Sequence, residues 1–477
     1  MPPTYDTLVI GAGLAALTAA RSLDGFKVAL LEARPRVGGR ALTASQTPEP
    51  VDLGCSMIHG FREGNPAARL ITQDLQMDVH IPEGAKGLVY GPDGPLSEAD
   101  ATSLFATSAQ NAFSPPPSAP ADASIASLLF SKLKDERLIA LARTAEIGAG
   151  ATLEEQSARF AGFEQGFAGT DAFPQGGYGA EVVRNLVAGI KAAGGELHLN
   201  AEVTSVEDLG KDEGVKVSTK DGKTFTAKTV ISTIPHAVLR EAPPTFSPPL
   251  SPIFTNALER MRTGALEKIV LTYPSAWWPS PDETGSFLLL PLVSSSSSSD
   301  KPSSLHDLFT RTTIPVTSFQ RIGSPPHPTL LAYIGADAAR FISTFPDEEV
   351  TSAFHSYLIE RLAPSSSPSA PAAEVPQPTV ALVTSWLRDP FSRGATSTPV
   401  LLTTSEADGE RATPLDFVIV GRPPKEWEGR LGFAGEHTVL DNHGSVAGAV
   451  ISGKREGERV RELLERLAEP CAAGANA

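Results

Sequence analysis

Short apolar runs alternate with helical stretches from the start of the chain. Asp6 to Ile10 is an apolar segment of strand length, and Leu14 to Leu23 is rich in Ala and Leu and predicts a helix. Lys27 to Leu31 predicts a second strand. Further on, Gly179 to Ala193 carries an amphipathic helical pattern, followed by strand candidates at Glu196–Val206, Val215–Thr219 and Thr229–Thr233. Leu431 to Ala434 predicts another strand, and Gly444 to Leu467 a long final helix. Strands interleaved with helices predict an α/β fold. No fixed-period repeat interrupts the pattern.

Pro and Gly number 41 each in 477 residues, above the averages of roughly 5% and 7%. Part of the excess lies in Ser114–Pro120, the six serines Ser294–Ser299 and Ala363–Pro378. Such composition has little apolar surface to bury, so these stretches predict surface loops or insertions. Elsewhere, 41% hydrophobic residues permit a sizeable core. Lys and Arg total 40 against 55 Asp and Glu, a net charge of −15. That balance argues against sequence-independent nucleic-acid binding, which neutralises phosphates with basic residues. It suits a cationic ligand. Two cysteines, Cys55 and Cys471, are too few for a disulfide scaffold or a cysteine-rich metal site. His437 and His443 have no partners at metal-ligand spacing, so no metal is expected. No run reaches the roughly 18 apolar residues of a membrane span. With no signal peptide or peroxisomal tripeptide to read, a cytoplasmic location is the expectation.

Gly11-Ala12-Gly13-Leu14-Ala15-Ala16 matches G-x-G-x-x-G/A between the first strand and the first helix. Gly11 permits the tight turn, and Gly13 lets backbone approach a pyrophosphate. The helix start, with Leu14 and Ala15, presents free N–H groups to the anion. Glu32 ends the second strand, 32 − 11 = 21 residues after the first glycine, where an acid accepts ribose hydroxyls. Glu32-Ala33-Arg34-Pro35-Arg36-Val37-Gly38-Gly39-Arg40 follows. Arginine beside accessible glycine backbone suits a diphosphate or a flavin edge.

This segment after the glycine motif resembles the flavin-containing amine oxidases: monoamine oxidases, polyamine oxidases and flavin-dependent histone lysine demethylases. The likeness recurs in order along the chain. Val51–Gly60 (VDLGCSMIHG) with Gly64-Asn65-Pro66 is similar to D-L-G-x-x-W-I-H-G…G-N-P of spermine and acetylpolyamine oxidases. Pro174–Tyr178 (PQGGY), Val230–Leu239 (VISTIPHAVL), Gly264–Trp278 (GALEKIVLTYPSAWW) and Ser385–Gly394 (SWLRDPFSRG) resemble further family segments. So do Gly435-Glu436-His437-Thr438 and Gly448-Ala449.

The resemblance implies one FAD per chain, in a Rossmann-like FAD-binding domain formed by 1–81, 174–265 and 400–477. A discontinuous α+β substrate domain would take 82–173, expected to be helical, and 266–399. The family's FAD contacts fall on Glu32, Arg34, Arg40, Ser56, Met57, Val203, Phe391 and Glu436. The final helix, starting near Ser445 and Val446, would aim its positive end at the flavin. Lys268 matches the lysine that holds a water at the flavin and favours reoxidation by oxygen. Read without the family, Lys268 could equally be an exposed lysine paired with Glu267. His59 aligns with the active-site histidine of the spermine and acetylpolyamine oxidases, and Trp386 with the family tryptophan.

The departures are Asn442 and Thr396, where the family commonly places an aromatic and a tyrosine that orient the amine. Met57 also replaces the tryptophan of W-I-H-G. The region where monoamine oxidases bond FAD through cysteine reads Gly394-Ala395-Thr396, so FAD is expected to be noncovalent. The implied activity is oxidation of a small cationic amine, nearest to polyamines, with O2 as acceptor and hydrogen peroxide as product. The altered wall leaves open an oxidase or desaturase of a non-amine metabolite, or a flavin-bound ligand-binding protein with little turnover.

Overall fold

The computed structural model describes residues 3–116, 118–293, 301–363 and 375–468. The serine run, and all of the Ala363–Pro378 stretch except its two ends, lie outside the described residues. Two large sheets organise the chain. The first has a parallel centre in the order Glu196–His198, Val28–Leu31, Tyr5–Ile10, Thr224–Ser232, Leu431–Phe433. The Tyr5–Ile10 strand is buried almost throughout, as a parallel strand covered on both faces requires. Its short run of Leu8, Val9 and Ile10 supplies both layers.

On the edge away from Tyr5–Ile10, the strand Thr224–Ser232 is shared between two further neighbours. Its second half pairs with Leu431–Phe433, and its first half pairs antiparallel with Gly214–Thr219. That strand continues the sheet to Val203–Gly210 and Thr245–Ser247. The segment expected as one strand, Glu196–Val206, is therefore two. Asn200 between them holds a left-handed φ of 56°, which breaks the extended run and moves the chain to the other side of the sheet.

The helix Leu14–Arg21 packs against the final helix Val446–Ala468. Close approach is enforced by small residues. A Cβ on Gly453 would lie 2.3 Å from the Ala15 carbonyl oxygen. The predicted helix over 179–193 begins with a wider turn, Tyr178–Val182, before the regular Val183–Ala192.

The second sheet is seven-stranded, in the order Val380–Val383, Leu266–Thr272, Thr329–Gly335, Ile314–Ser318, Thr284–Leu289, Lys86–Gly91, Gly94–Pro95. It is antiparallel except where Thr284–Leu289 meets Lys86–Gly91. The span 82–173, expected to be helical, thus also donates strands. Its helices Glu98–Gln110, Ile125–Leu129 and Glu136–Ala142 share one apolar cluster with Leu290.

Candidate active site

A cavity of about 510 Å³ runs from the glycine motif to the second sheet. It is lined by Gly11, Gly13, Leu14, Ala15, Glu32, Arg34, Arg40, Ser56, Met57, His59, Val203, Lys268, Trp386, Phe391, Thr396, Glu436, Ser445 and Val446. One expected position, Asn442, is not among the lining residues. Asn442 sits at φ 59° in the turn before the final helix, a conformation asparagine tolerates. Its carbonyl accepts the Ser445 hydroxyl at 2.6 Å. The cavity wall nearby is made instead by Thr396, Gly444 and Ser445. Of the two departures, Thr396 lines this cavity and Asn442 does not.

At the nucleotide end, Gly11 has φ 107°, and a Cβ there would lie 2.4 Å from the Thr233 hydroxyl oxygen. Glycine is thus required by the protein itself. Gly13 differs: its φ is −80° and a Cβ would meet nothing closer than 3.9 Å. No protein contact demands glycine at position 13, but a phosphate group drawn against the helix start would. Gly13 caps that helix without any side-chain hydrogen bond, which leaves first-turn N–H groups for an anion. This part of the cavity fits the diphosphate of a dinucleotide.

Glu32 is 4% exposed. Its two oxygens accept the N–H groups of Ala12 at 2.8 Å and Arg34 at 2.9 Å. Each oxygen keeps a lone pair for a hydroxyl. Arg34 donates to Asp389 at 2.8 Å and stacks over Phe391 at 5.4 Å. Arg36 is not in the lining; it braces its own loop through the Gly39 and Val37 carbonyls. Val203 opens its strand beside the ion pair Lys220–Glu202, all three lining the far end of the cavity.

Glu436 is buried just past the strand Leu431–Phe433 of the first sheet. Arg40 donates to one oxygen at 2.8 Å, while the Ser397 hydroxyl (2.5 Å) and the Gly444 N–H (2.9 Å) reach the other. Burial alone would push its carboxyl up, but the Arg40 guanidinium, the neighbouring His437 and the Ser397 hydroxyl overturn that and hold it at about 2. The unfolded chain titrates near 4.5. The stability from this network is therefore full above pH 4.5 and lost as the pH falls toward 2. Glu436→Gln is expected to destabilise by about 2–3 kcal/mol at pH 7, in chemical denaturation of the apoprotein. The difference should shrink between pH 5 and pH 3.

Lys268 lies on the strand Leu266–Thr272 and is 4% exposed. Its Nζ donates to the carbonyls of Asp52 (2.8 Å) and Gly54 (2.6 Å) and to the Ser56 hydroxyl (3.4 Å). The Tyr333 ring, directly across the strand pair, lies 5.3 Å from Nζ. Burial lowers the ammonium from 10.5 to about 8, partly opposed by the Asp52 carboxylate. The alternative pairing with Glu267 is not formed, because strand neighbours point to opposite faces. Glu267 is fully buried on the other face. It accepts the Thr384 hydroxyl and the N–H groups of Trp386 (3.1 Å) and Leu387 (2.9 Å). One strand thus places Lys268 in the cavity and pins the segment that carries Trp386. The indole N–H of Trp386 donates to the Leu53 carbonyl at 3.2 Å, closing the link.

His59 reaches the cavity from a side chain 63% exposed, with Nδ1 3.0 Å from Asp171. The other Asp171 oxygen accepts the Gly60 N–H at 3.0 Å. Neither Asp171 nor Tyr333 carries any sequence signal, since each is a lone residue far from the motifs it completes. Asp52 clamps the intervening loop, accepting the Thr43 hydroxyl at 2.5 Å and the Tyr178 N–H at 3.0 Å. Among the described residues no group of three His, Cys, Asp or Glu is placed to hold a metal ion. No described helix is long and apolar enough to cross a membrane.

Polyamine oxidase 2 of Arabidopsis thaliana is 26% identical over 97% of this chain and 90% of its own length. Lysine-specific histone demethylase 1 homolog 3 of the same plant is 28% identical over 96% of this chain, and lysine-specific histone demethylase 2 of Homo sapiens 26% over 96%. The chain spans only 30% of the first of these demethylases and 54% of the second. The solved structure of cyclohexylamine oxidase from Brevibacterium oxydans IH-35A superposes with a TM-score of 0.71 at 19% identity, covering 97% of this chain and all of that one. The sequence profile of the flavin containing amine oxidoreductases matches residues 14–461, nearly the whole chain, and the protein belongs to that family.

Proposed function

We propose that this FAD-dependent amine oxidoreductase is an oxidase of a cationic amine, with O2 as acceptor and hydrogen peroxide as product. The observation that carries the reading is the buried Lys268, held by the Asp52 and Gly54 carbonyls in the cavity that also contains the glycine cradle and Trp386. FAD, when bound, supplies the two-electron acceptor for the carbon beside the amine. Gly11, Gly13 and the start of the Leu14–Arg21 helix would hold its diphosphate, and Glu32 its ribose. Val203 would meet the adenine. Arg34, Arg40, Ser56, Met57, Phe391 and Glu436 would hold the remainder, without a covalent bond, as Ala395 offers no thiol. Residues 1–81, 174–265 and 400–477 would form this binding domain, in a Rossmann-like arrangement around the parallel strands. Residues 82–173 and 266–399 would form the substrate domain.

The chain's own groups divide the work. Trp386, pinned through Glu267, gives the substrate a rigid aromatic wall. His59 stands at the solvent side, where its ring can accept or return a proton at the substrate nitrogen. Lys268 keeps a cation in a water-poor site, where it favours electron transfer to oxygen. The Ser445-capped start of the final helix directs partial positive charge into the same space.

A panel of monoamines, diamines and polyamines, read by peroxide release and product mass, tests the reading. Release with at least one amine class is expected, and heat should free the flavin from the polypeptide. A panel inert in peroxide release, with the flavin bleached instead by an apolar non-amine, would move the assignment to a desaturase or oxidase of that compound class.

A further inference from the structure

The three atoms that Lys268 Nζ reaches are all uncharged: two backbone carbonyls and the Ser56 hydroxyl. The Asp52 carboxylate favours its charge from a distance. Both oxygens of that carboxylate are engaged elsewhere, by the Thr43 hydroxyl and the Tyr178 N–H. Glu267, on the opposite face of the strand, directs its oxygens to Thr384, Trp386 and Leu387. Cys55 stays a neutral thiol, because burial pushes it up to about 12. The strand on the other side, Val380–Val383, carries no titratable residue. A buried ammonium so placed loses its proton readily unless something else favours the charge.

Tyr333 is placed to do so. Lys268 and Tyr333 are direct partners in the antiparallel pair Leu266–Thr272 and Thr329–Gly335, so their side chains share one face. Nζ lies 5.3 Å from the ring centroid, within the roughly 6 Å at which an aromatic face attracts a cation. The ring is fixed at both ends. Its body packs beside Val51, Val270 and Leu331. Its hydroxyl lies among those of Ser56 and Thr317, which oppose the rise that burial gives the phenol. Ser56 therefore faces both the ammonium and the phenol. Burial, together with the carboxylates of Asp52 and Asp171, keeps the phenol neutral. Tyr333 thus offers a ring face to the cation without adding a second charge, and it does so in the wall of the main cavity.

We propose that Tyr333 is a positioning residue for oxygen reduction: its ring face keeps the Lys268 ammonium charged and fixed in the cavity wall, and so sets the pH range in which the enzyme reoxidises. The proposal rests on the reading of Lys268 as the cation that favours electron transfer to oxygen. Tyr333 itself exchanges no electron and no proton.

The test keeps the shape of the ring and changes its charge distribution. Tyr333→Phe retains an electron-rich face, whereas pentafluorophenylalanine at position 333 has nearly the same outline with the quadrupole reversed. In holoenzyme labelled with nitrogen-15 at the lysine side chains, the Lys268 signal is assigned by its loss in Lys268→Met. It should titrate at about 8 in the native protein and close to that in Tyr333→Phe. With the pentafluoro ring the midpoint should fall by about one pH unit, because removing an attraction for the charged form favours the neutral amine. Stopped-flow reoxidation of the dithionite-reduced proteins should follow. At pH 8 the pentafluoro protein should react about fivefold more slowly than the native one, and at pH 6 all three should agree within about twofold. A Lys268 midpoint that ignores the pentafluoro ring would overturn the proposal and leave Tyr333 a packing residue. If the native enzyme reoxidises without any pH step, the oxygen role of Lys268 falls, whatever its midpoint does, and takes this proposal with it.

Discussion

Lys268→Met is expected to slow reoxidation of the reduced enzyme by oxygen about 100-fold while leaving FAD retention intact. The reason is positional. The ammonium is held by the Asp52 and Gly54 carbonyls and reaches Ser56 only at 3.4 Å, whereas the main hold on the nucleotide would come from Glu32, Arg34, Arg40 and the glycine cradle. The same residue sets a pH signature. Burial brings its ammonium down to about 8, so the cation is present below that pH and is lost above it. Reoxidation of the native enzyme should therefore fall as pH rises through about 8, and the methionine variant should show no such step. Stopped-flow mixing of dithionite-reduced protein with oxygenated buffer reads both without a known substrate. An unchanged rate in the variant would make Lys268 a structural strand residue.

Glu32→Ala is expected to weaken FAD binding by about 1.5–3 kcal/mol, roughly 10- to 150-fold. Two effects add. The variant loses the charged acceptor for the ribose, and it strands the buried N–H groups of Ala12 and Arg34 that shape the loop around the diphosphate. Glu32→Gln keeps a single acceptor oxygen and should fall between. Titration of apoprotein with FAD, followed by flavin fluorescence, gives both constants. Alanine-variant affinity equal to the parent would remove Glu32 from the ribose.

The nucleotide end was the most legible part of the chain. A glycine turn, a helix start and an acid at fixed spacing are local features, and Gly11, Gly13 and Glu32 line one cavity. Several strands of the first sheet followed from short apolar runs for the same reason. The second sheet was harder to read. Its strands are joined across long separations, as where Lys86–Gly91 pairs with Thr284–Leu289, and no local pattern encodes that partner. Lys268 and Glu267 show the limit within the site. Read along the chain they look like an ion pair, yet strand alternation sends one to the cavity and the other to Trp386. Tyr333 and Asp171 complete the site from positions without any motif. Asn442 lies outside the cavity lining, in a left-handed turn that alignment to a family pattern does not register.

The most direct test of the account is a single turnover. Holoenzyme mixed anaerobically with the amines of the panel should lose its flavin absorbance completely with at least one of them, and admitting air should restore it with one hydrogen peroxide released per flavin. The Lys268→Met variant should bleach and recover slowly. Flavin that stays oxidised under every amine of the panel would contradict the claim that this cavity oxidises amines.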